Sequence, residues 1–426
     1  MTPTLNTSIF ESHESNVRSY ARAFPTVFQR AKGAKLFDER GREYIDFFAG
    51  AGSLNYGHNP DFIRERLVAY LQEDNVSHAL DMFTVAKREF LTRFVNTVLV
   101  PRKLDYKVQF VGPTGADSVE AALKLARLAT GRYGIASFTG GWHGMTLGCL
   151  QVTANRETRA TAGAPLPFTT FLPYGDGPTK FADSLTYVRA MLEDASSGVE
   201  KPAAILLETV QAEGGIYVAP PEWLKGLRAL CDAHGVLMIV DDVQVGCGRT
   251  GSFFSFERAG IAPDIVTLSK SIGGYGLPMA LVLLKREIDV WKPAQHTGTF
   301  RGNQLAFIAA AAALERYWQD DRFAAETTRK GELVRSSLAK LTADPRIVHR
   351  GLGLIHGVDF ARAGAPELAR SISRRCFERG LIVECCGRGD TVLKILPPLT
   401  IEDDVLAAGC AILVECATAE LEKRVP

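Results

Sequence analysis

VLMIVDD at residues 236–242, followed by VQVGCGRTG at 243–251 and IVTLSK at 265–270, decides the fold. Five apolar residues in a row that end in Asp241 and Asp242 predict a buried parallel strand whose carboxylate emerges at its C-terminal end. A second short strand over 264–268 delivers Lys270 in the same manner. Ligands in open α/β sheets bind at that end of the strands.

Outward from this stretch, short strands alternate with helices. Strands are expected over 134–138, 203–208, 237–241, 265–268 and 279–284, with helices over 181–193 and 221–234 between them. Such alternation means a mostly parallel α/β sheet covered on both faces. Further helices are expected over 61–71, 85–98, 303–318 and 322–341. Another is expected over 117–130, where Asp117 followed by Glu120 reads as its capping box. KLFDERGREYIDF within 34–48 predicts a hairpin, and 351–360 and 381–384 read as strands of a smaller α+β unit. Residues 1–14 carry no periodicity and are expected to fray or to fold over a partner. The division that follows is 1–50 as an N-terminal segment contributing to the small unit, 51–320 as the large α/β domain, and 321–426 as the small α+β domain.

Composition narrows the function. The chain has 426 residues, 46% of them hydrophobic and 23% charged, with a net charge of +1. No block of like charge is present, which argues against a nucleic-acid or membrane-surface partner. Residues 305–314, the longest apolar stretch, are too short to span a bilayer. Eight cysteines without metal-ligand spacing, and no apolar leader in the first 25 residues, point to a reduced, cytoplasmic protein without a metal site.

Four other stretches carry chemistry. In VGPTGADSVEAALKLAR (111–127) a Gly-rich turn enters a helix, so Thr114, Gly115 and Ala116 form a phosphate cradle or an ordinary helix start. In GGWHG (140–144) Trp142 either lies against a planar ring or packs in the core, and His143 is either functional or a hydrogen-bonded structural residue. Glu208 ends a strand and Glu213 follows in a Gly-rich loop. Either could orient a substrate amine or pair with a cation, and a capping or solvated role is as good for Glu213. In QHTGTFRGNQLA (295–306) the Thr299 hydroxyl could meet a phosphate and Arg301 a carboxylate. An acid and a lysine at neighbouring strand ends suit pyridoxal phosphate. The lysine carries the aldehyde as an imine, and the acid keeps the pyridine nitrogen protonated.

Taken in order, TGADSVEAALKLAR, GGWHG, ETVQAEGG, VDDVQVGCGRTG, LSKSIGG and HTGTFRGN resemble the class III pyridoxal-phosphate aminotransferases of fold type I, from about residue 17 to the C-terminus. The resemblance implies Lys270 as the Schiff-base lysine, Asp241 as partner of the pyridinium nitrogen and Gln244 near the ring hydroxyl. It also implies Gly115 and Ala116 on the phosphate, Trp142 stacked on the ring, and Thr299 reaching the phosphate of the other subunit in a homodimer or dimer of dimers. NVRSYARAFPTVF, FFAGAGSLNYGHN, YKVQFVGPTG, LSKSIGGYGLPMAL and GTFRGN are similar, more narrowly, to the diaminobutyrate–2-oxoglutarate aminotransferases of ectoine biosynthesis. That group moves an amino group from L-glutamate to L-aspartate 4-semialdehyde, giving L-2,4-diaminobutyrate and 2-oxoglutarate. Trp142, Ala212 and Gln304 depart from the usual pattern, and Lys394 stands where many class III enzymes place an arginine. Substrate contacts are expected from Ala51, Gly52 and Glu213, with Arg301 or, second, Lys394 as the carboxylate anchor. The alternatives are another class III ω-aminotransferase, serving siderophore or peptide-antibiotic synthesis, and a pyridoxal-phosphate aminomutase or epimerase.

Overall fold

The computed structural model describes residues 7–175, 183–364 and 367–423. A seven-stranded sheet forms its centre: β1 (Tyr106–Phe110), β2 (Ile135–Phe138), β3 (Thr169–Leu172), β4 (Ala204–Leu207), β5 (Leu237–Asp241), β6 (Ile265–Leu268) and β7 (Leu281–Lys285). The spatial order is β1-β7-β6-β5-β4-β2-β3. Strands β2 to β6 pair in parallel, and β7 is antiparallel to both β6 and β1. Two edge strands, β1 and β3, escape the pattern reading. Their residues are mixed rather than continuously apolar, as suits a sheet margin.

The two-residue period of a strand sorts the core. Ile205, Leu207, Met238, Val240, Val266 and Leu268 point to one face, where Trp223, Leu224, Leu227 and Leu230 of helix Pro221–His234 cover them. Ala204, Leu206, Ile239, Ile265 and Val282 point to the other, under Val119, Ala122, Leu123 and Ala126 of helix Gly115–Thr130. Each large aliphatic side chain so buried contributes roughly 1.5–3 kcal/mol. The same alternation parts the two acids at the end of β5. Asp241 continues the face of Ile239, and Asp242 turns to the opposite face, where its Oδ2 accepts from Ser255 N at 3.1 Å. Burial pushes the Asp242 carboxyl up to about 7.

Helix Gly115–Thr130 begins two residues before the expected start. Thr114 is its N-cap, accepting from Asp117 N, while Asp117 returns a carboxylate to the Thr114 backbone. Glu120 instead accepts from Thr146 Oγ1 and Gly148 N, at 2.6 and 2.9 Å. The expected hairpin is present as Lys35–Asp38 against Glu43–Asp46, and a third strand, Phe28–Lys32, precedes it. Its far edge pairs in parallel with Leu381–Ile382, joining the N-terminal segment to the C-terminal one.

The region expected as one strand over 351–360 is two strands, Val348–Leu352 and Ile355–Asp359. They are folded back at Gly353, whose positive φ of 57° a side chain would resist. Residues 381–384 likewise divide between two sheets, with Glu384–Cys386 pairing to Val392–Ile395. Of residues 1–14, the first six lie outside the described set, and Ser8–His13 form a short exposed helix. Of the helix expected over 181–193, residues 181–182 lie outside it and Ser184–Glu193 is helical, capped by Asp183. Among the described residues no helix is long and apolar enough to cross a membrane.

Candidate active site

The C-terminal ends of β4, β5 and β6 open on two connected chambers that share Trp142, Glu213 and Lys270. The inner chamber, about 200 Å³, is lined by Gly115, Ala116, Trp142, His143, Glu208 and Asp241, with Val243, Gln244 and Lys270 beside them. The outer chamber, about 750 Å³, reaches Tyr20, Ala51, Arg374 and Glu384.

Asp241 is held from three sides. Its Oδ2 accepts His143 Nδ1–H at 2.8 Å, and its Oδ1 accepts from Thr267 Oγ1 and Val243 N at 3.1 and 3.2 Å. Three donors fix the orientation of the buried carboxylate toward the inner chamber. His143 Nε2 is buried and meets no partner among the described residues. Lys270 directly follows β6 and Ser269, with φ at 52°, a left-handed conformation that a lysine holds only under surrounding constraint. Ser271 Oγ supplies part of it, donating to Gly52 O at 2.8 Å and accepting from Asn55 N at 3.1 Å. Burial lowers Lys270 to about 8, against the opposing pull of Glu213.

Glu208 lines the inner chamber, but both its oxygens are taken by backbone. Oε2 accepts from Trp142 N at 2.9 Å and Oε1 from Ala212 N at 3.3 Å. It fixes the loop that presents Trp142, and burial with Asp241 nearby raises its carboxyl well above the usual range. Glu213 caps no helix and, though its side chain is partly exposed, it is ion-paired. Its Oε1 accepts from Gln244 Nε2 at 3.1 Å and from Lys394 Nζ. Gln244 Nε2 also reaches Ala51 O at 3.1 Å.

Several expectations need correction. Thr114 lines neither chamber, because its hydroxyl is spent on the helix cap. Gly52 is a packing position: a Cβ there would meet Leu396 and Gln244 at 3.3 and 3.4 Å. Arg301 does not line this chain's cavity, since it pairs with Asp81 and donates to His296 O. Thr299, expected to reach the other subunit's phosphate, is exposed and outside this chain's own chambers, which is no departure from that expectation. Lys394 is fully buried between Glu213 and Glu384, so it does not present its ammonium to the cavity as a free anchor. Sequence reasoning passed over Tyr20 and Glu384. Tyr20 sits inside the family-like NVRSYARAF stretch, and Glu384 closes a recognised apolar run, which was the signal available for each.

The cavity fits pyridoxal phosphate on its own geometry. The N–H groups of Gly115 and Ala116, at a helix N-terminus, have no partner among the described residues and border the inner chamber, as an anion requires. A Cβ on Gly115 would come within 2.8 Å of Val243 Cγ1, so the close approach depends on glycine. Asp241 and Lys270 line the same chamber as that helix start.

The profile of the class-III aminotransferase family matches residues 17–417. A protein of Bordetella parapertussis named diaminobutyrate–2-oxoglutarate transaminase is 54% identical over 98% of this chain and 96% of its own. One of the same name from Nocardia farcinica is 55% identical over 96% and 94%. The crystal structure of the ornithine aminotransferase from Toxoplasma gondii superposes with a TM-score of 0.84 at 26% identity, covering 97% of this chain and 94% of that one.

Proposed function

This chain belongs to the class-III aminotransferases and is a pyridoxal-phosphate enzyme; within that family we propose that it moves an amino group between L-glutamate and L-aspartate 4-semialdehyde. The products are 2-oxoglutarate and L-2,4-diaminobutyrate, the latter serving an ectoine-type pathway. The observation that carries the reading is 54–55% identity, over nearly the whole chain, to relatives that bear that activity's name.

The cofactor supplies an aldehyde that captures the amine and a ring that takes up the electron pair released at the substrate carbon. We assign the rest to the chain's own residues. Lys270 Nζ, brought to about 8 by burial, suits the task of moving a proton at the carbon that bears the amine, as base and then as acid. Asp241, fixed by His143 and Thr267, would hold a proton on the ring nitrogen. The Gly115 and Ala116 N–H groups would hold the phosphate, with Trp142 and Gln244, which line the same chamber, beside the ring.

The proposed assembly is a pair of chains, with Thr299 serving the neighbour's phosphate. Phe83, Met82 and Phe300 are 100%, 61% and 68% exposed, and His78 packs edge-on against Phe300. So much apolar surface beside Thr299 suits a second copy. Eight cysteines, all free, favour a reducing compartment, and we place the enzyme in the cytoplasm.

The test is a panel of amino acceptors with glutamate as donor. Aspartate semialdehyde should be converted with the highest kcat/KM. Turnover of an amino acid without any added oxo acid would instead indicate a mutase or epimerase.

A further inference from the structure

The far wall of the outer chamber holds an imbalance of charge. Lys394, fully buried, is the one ammonium between two carboxylates, with Glu384 Oε1 at 2.8 Å and Glu213 Oε1 on its other side. Glu213 is further satisfied by the amide of Gln244. Glu384, 8% exposed, has only Lys394 among the described residues and lines the cavity. Burial and the neighbouring Glu213 raise the Glu384 carboxyl, as befits an acid short of a cation. Lys270 acts on both carboxylates through space but forms no ion pair with either among the described residues. Two carboxylates against one buried ammonium are relieved by a proton or by a second cation, and a cation delivered from the cavity would meet Glu384 first.

We propose that Glu384 receives the α-ammonium of the substrate at the end remote from the cofactor, so that the enzyme selects ω-amino acids bearing an α-ammonium over those without one. The inference rests on the proposed function. In L-2,4-diaminobutyrate the α-ammonium sits two carbons from the reacting one, and in 4-aminobutyrate it is missing while the rest of the molecule is the same. A bound diamino acid turns the two-to-one arrangement into two-to-two. Its α-carboxylate then faces the arginine side of the chamber, where Arg370 is tied to Asp390 but Arg374 carries no ion pair among the described residues. Glu384 thereby discriminates by charge, where chain length alone cannot.

The experiment uses holoenzyme and Glu384→Gln, following cofactor absorbance through the single half-reaction with L-2,4-diaminobutyrate and with 4-aminobutyrate. The ratio of kcat/KM values should fall about 30-fold or more, through loss of the diaminobutyrate reaction while that of 4-aminobutyrate holds or improves. Glu384→Asp should give an intermediate ratio, and it replaces the first variant if that one fails to retain cofactor. Equal loss with both amines would reduce Glu384 to a counter-ion of Lys394 and overturn the proposal, as would an unchanged ratio. Wild-type enzyme inert toward diaminobutyrate would overturn the proposed function itself, whereas an active wild type with an unchanged variant ratio overturns this inference alone.

Discussion

Lys394→Met removes the ammonium shared by Glu213 and Glu384 while keeping an unbranched side chain of similar length. Lys394 is fully buried, and its two partners are 28% and 8% exposed. Breaking a buried ion pair from one side costs about 3–5 kcal/mol, because a charge is left without compensation. Unfolding entropy runs near 2.1 cal/mol/K per residue, or roughly 0.9 kcal/mol/K over this length, so the melting temperature should drop by about 3–6 °C. The pH dependence follows from the directions of the shifts. In the wild type Glu213 is held below its ordinary value by Lys394, once its burial is overcome. It therefore contributes stability above the unfolded carboxylate pKa, near 4.3, that is lost as pH falls through the folded value. Without Lys394 both carboxyls are raised, and a raised carboxyl costs stability in full above its folded pKa and nothing below the unfolded one. The deficit of the variant should be largest at pH 8 and smaller at pH 5.5. Holoenzyme melts with saturating cofactor at both values measure it. The double variant Lys394→Met with Glu384→Gln, which leaves one buried acid instead of two, should recover part of the loss. A drop under 1 °C at pH 8, or a deficit that grows toward pH 5.5, would refute the account of a buried, shared ammonium.

Borohydride reduction of the enzyme should attach the cofactor to the peptide containing Lys270, and Lys270→Ala should abolish turnover; attachment at Lys285 would overturn the assignment. Gly115→Ala should weaken cofactor retention at least tenfold in dialysis, since its Cβ would stand 2.8 Å from Val243 Cγ1 beside the helix start. Without cofactor, Lys270 is buried with its pKa depressed to about 8, so the cost of holding it is greatest below pH 8 and fades toward its unfolded value near 10.4. Cofactor-free Lys270→Met should accordingly melt above wild type at pH 7 and converge with it above pH 10. Lys270→Ala and a bulky Thr299 variant, each inactive, should regain activity on mixing if subunits exchange, and no recovery despite exchange would exclude a shared site.

How much was legible in the chain depended on how local the determinant was. VLMIVDD and IVTLSK mark their own ends, so β5, β6, Asp241 and Lys270 could be read directly, as could the helix that follows the glycine turn at 112–115. Boundaries failed where short-range rules compete. Asp117 and Glu120 satisfy a capping pattern, but Thr114 with Asp117 satisfies it better, and Glu120 is drawn away by Thr146 and Gly148. Gly353 could be read as part of a strand until the packing of its neighbours against residues 249–251 fixed a turn there.

The outer chamber was hidden for a deeper reason. Its wall is assembled from residues 20, 51, 213, 374 and 384, with Lys394 behind them, and no spacing rule connects positions so far apart. The inner chamber is fixed by strand ends and one helix start, elements that any enzyme holding the same cofactor can use. The outer one is built from the N-terminal segment and the C-terminal strands, which meet where Leu381–Ile382 pairs with Glu43–Asp46. On the proposed reading the chemistry sits on the central sheet, and the choice of substrate on the segments that build the outer chamber. Substitutions at Glu384 and Lys394 should change which amine reacts, whereas substitutions at Lys270 and Asp241 should change whether any amine reacts.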